Sequence, residues 1–137
     1  METIDLTSFE NAINSLIEVI DLWNDNQDDI LRDSIIQRFE YTYSLALKMI
    51  RRYFTESAFA EFDSKEIYGM SFNQMIRTAN SMGLLKSNLE TWTEYREKRN
   101  MTSHTYDENI AQDVVAIIPD FKDEAVFLLN KLKEKIG

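Results

Sequence analysis

Apolar residues return every third or fourth position along this chain rather than every second, the spacing of one helix face. Phe9, Ile13, Leu16, Ile20 and Trp23 predict a first amphipathic helix over about residues 7–24. The polar run Asn24-Asp25-Asn26-Gln27-Asp28-Asp29 reads as a loop, and Asp28 or Asp29 can cap the next helix. From Ile30 to about Phe54 there is no Gly or Pro, and Ile35, Phe39, Tyr43, Ala46, Ile50 and Tyr53 form one stripe. A helix that long, rising about 1.5 Å per residue, suits the backbone of a bundle.

Over residues 55–70 the pattern is lost, and a connecting loop is expected. Ser71 with Gln74 makes a capping box, and Gly83 stands where a C-terminal cap belongs, bracketing a helix of about 72–82. Ser87 with Glu90 repeats the box and opens a helix carrying Leu89, Trp92 and Tyr95, which should end near Arg99–Thr102. Thr105 with Glu108 makes a third box. Beyond it Ile110, Val114, Ile117, Phe121, Leu128 and Leu132 keep helical spacing. Pro119 lies mid-segment, lacks a backbone donor, and is expected to kink or split that helix. Nothing alternates as a strand for long, and no internal repeat is visible. The expectation is an all-α, up-and-down helical bundle of about five helices with a four-helix core, one domain spanning 1–137.

Composition narrows the function classes. With 137 residues and 44% hydrophobic, the chain can build a core, while three Gly and one Pro leave few turns for a sandwich or barrel. The absence of Cys excludes disulfide frameworks and thiolate zinc sites. Residues 1–20 lack a basic start followed by an apolar run, so no signal peptide is expected. No stretch approaches the roughly 18 apolar residues of a membrane span. A cytoplasmic protein with no membrane partner is the expectation. The formal net charge of −9 opposes nonspecific binding to a polyanion, though an acidic protein can still hold a local basic pocket. There is no Gly-rich phosphate loop, no second His for a metal pair and no Ser or Cys nucleophile motif, so neither metal nor cofactor is expected. Met49, Met70, Met75, Met82 and Met101 read as core filler or interface, and Asp28-Asp29 and Glu61–Asp63 as solvated loop charges.

The densest chemistry runs from Tyr95 to Glu108, where Arg96, Lys98, Arg99, the only His, Tyr106 and several hydroxyls gather. Arg99 and His104 are five apart, which on an unbroken helix would separate them by about 140°. They converge only if the chain bends, and the Thr105–Glu108 box predicts a bend there. His104 would then precede a helix start with Tyr106 in its first turn, where free amides and the dipole favour an anion. Two readings stand at this level. One is a polar interhelix turn, with His104 bonded to a neighbouring carbonyl and the cations solvated. The other is a phosphate or nucleotide site. Trp92, beside Leu89, belongs to core or interface rather than to a stacking platform.

Two segments carry a resemblance. Arg38-Phe39-Glu40-Tyr41-Thr42-Tyr43-Ser44-Leu45-Ala46-Leu47-Lys48 and Arg99-Asn100-Met101-Thr102-Ser103-His104-Thr105-Tyr106-Asp107-Glu108 resemble the nucleotidyltransferase substrate-binding protein family. These are small helical proteins of bacteria and archaea, typically encoded beside a minimal nucleotidyltransferase. The resemblance covers nearly the whole chain, Gly83-Leu84-Leu85 and Trp92 included. The second segment is also similar to the signature of the HEPN superfamily, Arg, four residues, His, one residue, Tyr, here Arg99, His104 and Tyr106.

The resemblance implies a dimerising up-and-down bundle in a heteromeric complex with a nucleotidyltransferase subunit, to which it presents nucleotide or substrate. It implies Arg99, Asn100, His104 and Tyr106 as nucleotide- or substrate-binding residues. In related toxin–antitoxin pairs the HEPN protein is a metal-independent ribonuclease, silenced by a nucleotide added to the signature tyrosine, which would be Tyr106. The acidic balance, with no long basic stripe for RNA, weighs against the ribonuclease role more than against the partner role. A ribonuclease would need Arg99 and His104 as its catalytic pair. One His per chain would then require a homodimer, bringing two copies of each together, with Asn100 orienting a phosphate or the His ring. A non-catalytic dimeric scaffold is the remaining alternative.

Overall fold

The described residues, 4–56 and 63–136 of a computed structural model, hold six α-helices and one 3₁₀ turn, with no strand among them. The helices are α1 (Thr7–Asp25), α2 (Asp29–Glu56), α3 (Ser64–Tyr68), α4 (Phe72–Ser81), α5 (Leu89–Asn100) and α6 (Glu108–Ile136). The 3₁₀ turn, Thr102–His104, separates α5 from α6. The fold is an all-α bundle.

Local chemistry sets most boundaries. The Asp28 carboxylate accepts from the Leu31 amide at 2.8 Å and starts α2. Ser71 caps α4 by accepting from the Gln74 amide at 3.1 Å. After α4, Gly83 takes φ +78°, the left-handed conformation that glycine adopts without a Cβ penalty. The expected loop over 55–70 lies partly outside the described residues. Where it is described, Asp63 accepts from the Glu66 amide at 2.8 Å and starts the short α3, which apolar periodicity was too brief to announce.

Two expectations shift. Asn88, not Ser87, caps α5, accepting from the Thr91 amide at 3.2 Å, while the Ser87 carbonyl accepts from the Asn80 side chain. Pro119 does not split α6, which runs unbroken from Glu108 to Ile136. Pro119 is exposed, so the carbonyl its ring leaves without a donor lies on the solvent side, where water can satisfy it.

The long helices run up and down. Ser15 meets Tyr41 at 2.7 Å, which sets α1 antiparallel to α2. Lys133 meets Glu10 at 2.6 Å, so α6 returns along α1. α1 and α5 each pack against both α2 and α6, and α2 and α6 touch each other between them. The Arg38 guanidinium donates to the Ser15 carbonyl at 2.7 Å, and the buried Thr42 hydroxyl donates to the Arg38 carbonyl at 2.6 Å. The first resemblance segment therefore sews α1 to α2.

Every residue of the α2 stripe is buried. At the centre, the Phe121 ring meets Phe39 edge-on at 5.1 Å and Tyr95 edge-on at 5.2 Å, and Trp92 meets Tyr95 at 5.4 Å. Met49 and Met75 are buried, Met70 and Met82 pack on the core edge, and Met101 is more exposed. One carboxylate enters this interior. Glu124 of α6 is fully buried and accepts from the Lys86 amide at 2.7 Å, fastening the α4–α5 connection to α6. No helix among the described residues is long and apolar enough to cross a membrane.

Candidate functional site

The signature segment sits at the α5–α6 corner. α5 ends at Asn100, and the next residues tighten into the 3₁₀ turn, with the His104 amide donating to the Met101 carbonyl at 2.9 Å. The predicted bend is therefore present, but its cap differs. Asp107 caps α6, accepting from the amides of Asn109 at 2.9 Å and Ile110 at 3.3 Å. Thr105 instead donates back to the Thr102 carbonyl at 3.2 Å. A carboxylate is the stronger acceptor for helix amides, and it outcompetes the hydroxyl. Tyr106 thus precedes the helix rather than lying in its first turn. The amides expected to be free for an anion are taken by Asp107.

Glu108, expected to close the third box, turns across the bundle instead. Both its oxygens accept from Arg32 at 2.8 Å, which ties the start of α2 to the start of α6. The Arg32 hydrogen bond and charge hold the Glu108 carboxyl below the ordinary glutamate range. The same pair raises the Arg32 guanidinium further above its usual value. A carboxyl with a depressed folded value stabilises above its unfolded value and loses that effect as pH falls through the folded value. Glu108→Gln should therefore melt earlier than wild type near neutrality, with the gap closing in acid. Thermal melts across that range check this, and a gap that persists in strong acid would assign the effect elsewhere.

The signature residues divide into two groups. His104 and Tyr106 stand together on the corner, ring centroids 6.2 Å apart and tilted at 72°. Both are exposed, Tyr106 at 87%, and neither side chain has a hydrogen-bond partner among the described residues. The reading of His104 as a turn histidine bonded to a neighbouring carbonyl is not met. Arg99 and Asn100 face elsewhere, onto an open depression of about 320 Å³ between α2, α4 and α5. Tyr43, Ser44, Leu47, Arg51, Phe72 and Arg96 complete its lining. Arg99 reaches Glu40 at 3.7 Å, and no hydrogen bond or ion pair joins it to His104 among the described residues.

Of this lining sequence reasoning named only Arg99 and Asn100 as site residues, and three of those it missed matter most. Arg51 lies on the polar side of α2, and Tyr43 was counted only as core. Arg96 was left between a solvated cation and a phosphate site, although its position three before Arg99 places both on one side of α5. Its guanidinium lies 4.8 Å from the centre of the Phe72 ring. Among the described residues no group of three or more His, Cys, Asp and Glu side chains is arranged to hold a metal ion.

Comparison with known proteins agrees with this corner-and-bundle architecture. Residues 4–134 match the family described as nucleotidyltransferase substrate binding protein like, and the chain belongs to that family. A Haemophilus influenzae protein named "Probable ribonuclease HepT" is 35% identical over 133 residues, covering 93% of this chain and 88% of the relative. Among solved structures, HI0074 of Haemophilus influenzae superposes with a TM-score of 0.85 at 33% identity, covering 94% of this chain and 99% of that one. It is described as revealing the fold of a substrate-binding domain of a nucleotidyltransferase. The crystal structure of a Thermus thermophilus protein follows with a TM-score of 0.72 at 28% identity, covering 90% and 98% of the two chains.

Proposed function

We propose that this chain is the partner subunit of a minimal nucleotidyltransferase, docking on the catalytic subunit and presenting nucleotide or substrate to it. One observation carries the reading. Tyr106 projects from a corner between two rigid helices with 87% of its surface exposed, beside the exposed His104. A phenol held that way can enter another protein's cleft without local unfolding. If it is itself the acceptor, its oxygen attacks the α-phosphorus of a nucleoside triphosphate and forms a phosphodiester. Pyrophosphate leaves, and the phenolic proton passes to a base on the catalytic subunit.

A second reading is supported by the name of the Haemophilus relative, a ribonuclease. In it, two chains pair so that two copies of Arg99 and His104 act on RNA without a metal, and a nucleotide on Tyr106 disables the site by adding bulk and negative charge. Homodimerisation belongs to both readings.

The test is co-expression with a nucleotidyltransferase encoded beside this chain. Size exclusion with light scattering is expected to show a heteromeric complex containing two copies of this chain. Intact mass is expected to show one added nucleotide on wild type and none on Tyr106→Phe. Separate elution of the two proteins would overturn the partner reading. A monomer at micromolar concentration would remove the shared-site ribonuclease.

A further inference from the structure

The depression beside Arg99 brings together three arginines in an acidic chain of net −9. Arg51 approaches from α2, and Arg96 and Arg99 from α5. Among the described residues neither Arg51 nor Arg96 has a carboxylate within ion-pair distance. Arg99 has only Glu40, at 3.7 Å, with both side chains about two-fifths exposed (37% and 42%). A pair that long and that wet contributes almost nothing and yields readily to a better acceptor. Arg96 is braced against Phe72, so less of its freedom is lost when it binds.

The floor supplies a neutral donor. Tyr43 is 4% exposed and borders the depression, yet its hydroxyl has no hydrogen-bond partner among the described residues. Burial pushes that phenol up to about 12, while Arg96, Arg99 and Arg51 pull it the other way. It therefore stays protonated at neutral pH, a donor within electrostatic reach of three guanidinium groups. Several forked cationic donors around one phenol, with Glu40 the one carboxylate near them and only at 3.7 Å from Arg99, suit a phosphate oxyanion.

We propose that Arg51, Arg96, Arg99 and the Tyr43 hydroxyl form a phosphate-binding cradle for a nucleotide phosphate, carried by a free nucleoside triphosphate or by an RNA strand. The cradle lies apart from the His104–Tyr106 corner and does not require that Tyr106 be modified. It reconciles an acidic chain with an anionic ligand, since the attraction is confined to one local spot.

The test uses the purified full chain alone, so its failure leaves the partner reading standing. The probes are a fluorescein-labelled single-stranded oligouridylate, followed by anisotropy against salt, and ATP as competitor. Arg51 and Arg96 are exposed, so the double variant Arg51→Gln, Arg96→Gln should melt like wild type. It is expected to bind the oligonucleotide about tenfold or more weakly, with a salt slope reduced by roughly 1.4, the share of two phosphate contacts on a single strand. Displacement by ATP identifies the free nucleotide as the source, and its failure to displace identifies the strand. Either result supports the cradle. A control with the same charge change, Lys86→Gln with Lys135→Gln, touches no residue of the depression and should bind as wild type. The cradle is overturned if wild type binds neither probe, if the double variant binds as wild type does, or if the control loses as much.

Discussion

Trp92→Ala is expected to cost about 3–5 kcal/mol of stability, the largest effect of any single substitution considered for this chain. Trp92 has no exposed surface, and its indole sits edge-on to Tyr95 at 5.4 Å and to Phe121 at 6.2 Å. Its truncation opens a cavity where α2, α5 and α6 meet and strips ring contacts from three neighbours, Tyr43 included. A domain of ordinary stability holds only about 5–15 kcal/mol, so the variant should lose about a fifth or more of it. Trp92→Phe should cost much less. The indole Nε1 is buried without an acceptor, so losing that donor removes an unmet hydrogen bond along with some volume. Urea titrations of both variants check this, and a midpoint for Trp92→Ala equal to wild type would contradict the burial.

This core was legible because it obeys one period. Phe39, Tyr43 and Ala46 on α2, and Val114, Phe121 and Leu128 on α6, fall at spacings that only a helix turns to one side, and all are buried. Trp92 was legible as core for the same reason, since Tyr95 follows it by three. The errors came where short-range competitors were of similar strength. Ser87 and Asn88 are comparable caps, and the Ser87 carbonyl already serves Asn80. Thr105 lost to Asp107 because Glu108, the other half of its box, found Arg32 on a different helix, a partner 76 residues away. No local pattern reports such a pairing. Pro119 misled because its cost depends on which side of the helix it faces. Glu124 went unremarked in the sequence, since nothing local shows that a carboxylate beside an apolar stripe will meet the backbone of Lys86.

The candidate site was half legible for a related reason. A linear motif lists neighbours in sequence, and the bend at Thr102–His104 sends those neighbours to different places. His104 and Tyr106 stay together at the corner. Arg99 and Asn100 join Arg51 and Tyr43, which are about fifty residues earlier, in the depression between helices. Positive charge from α2 becomes part of a site only once α2 is packed against α5. The overall acidity hid it, because a sum over the chain says nothing of where three arginines converge.

That division makes the His104 substitution decisive. His104→Ala should leave the melting curve within about 0.5 kcal/mol of wild type, since its ring is exposed and no hydrogen bond of its side chain is lost. Arg99→Ala should be nearly as silent, because only the long, exposed contact to Glu40 disappears. Function should respond quite differently. Under the ribonuclease reading His104 is the chain's one imidazole, and general acid–base roles of this kind carry about 10²–10⁴ in rate. Cleavage of a labelled single-stranded RNA in a chelating buffer should then fall by that factor in His104→Ala. Arg99→Ala should suffer as well, through loss of charge at the phosphate. The partner reading expects a different pattern on the same samples: wild type without detectable cleavage, and both variants still co-eluting with the catalytic subunit. Cleavage that survives His104→Ala unchanged would remove the ribonuclease reading in which Arg99 and His104 are the catalytic pair.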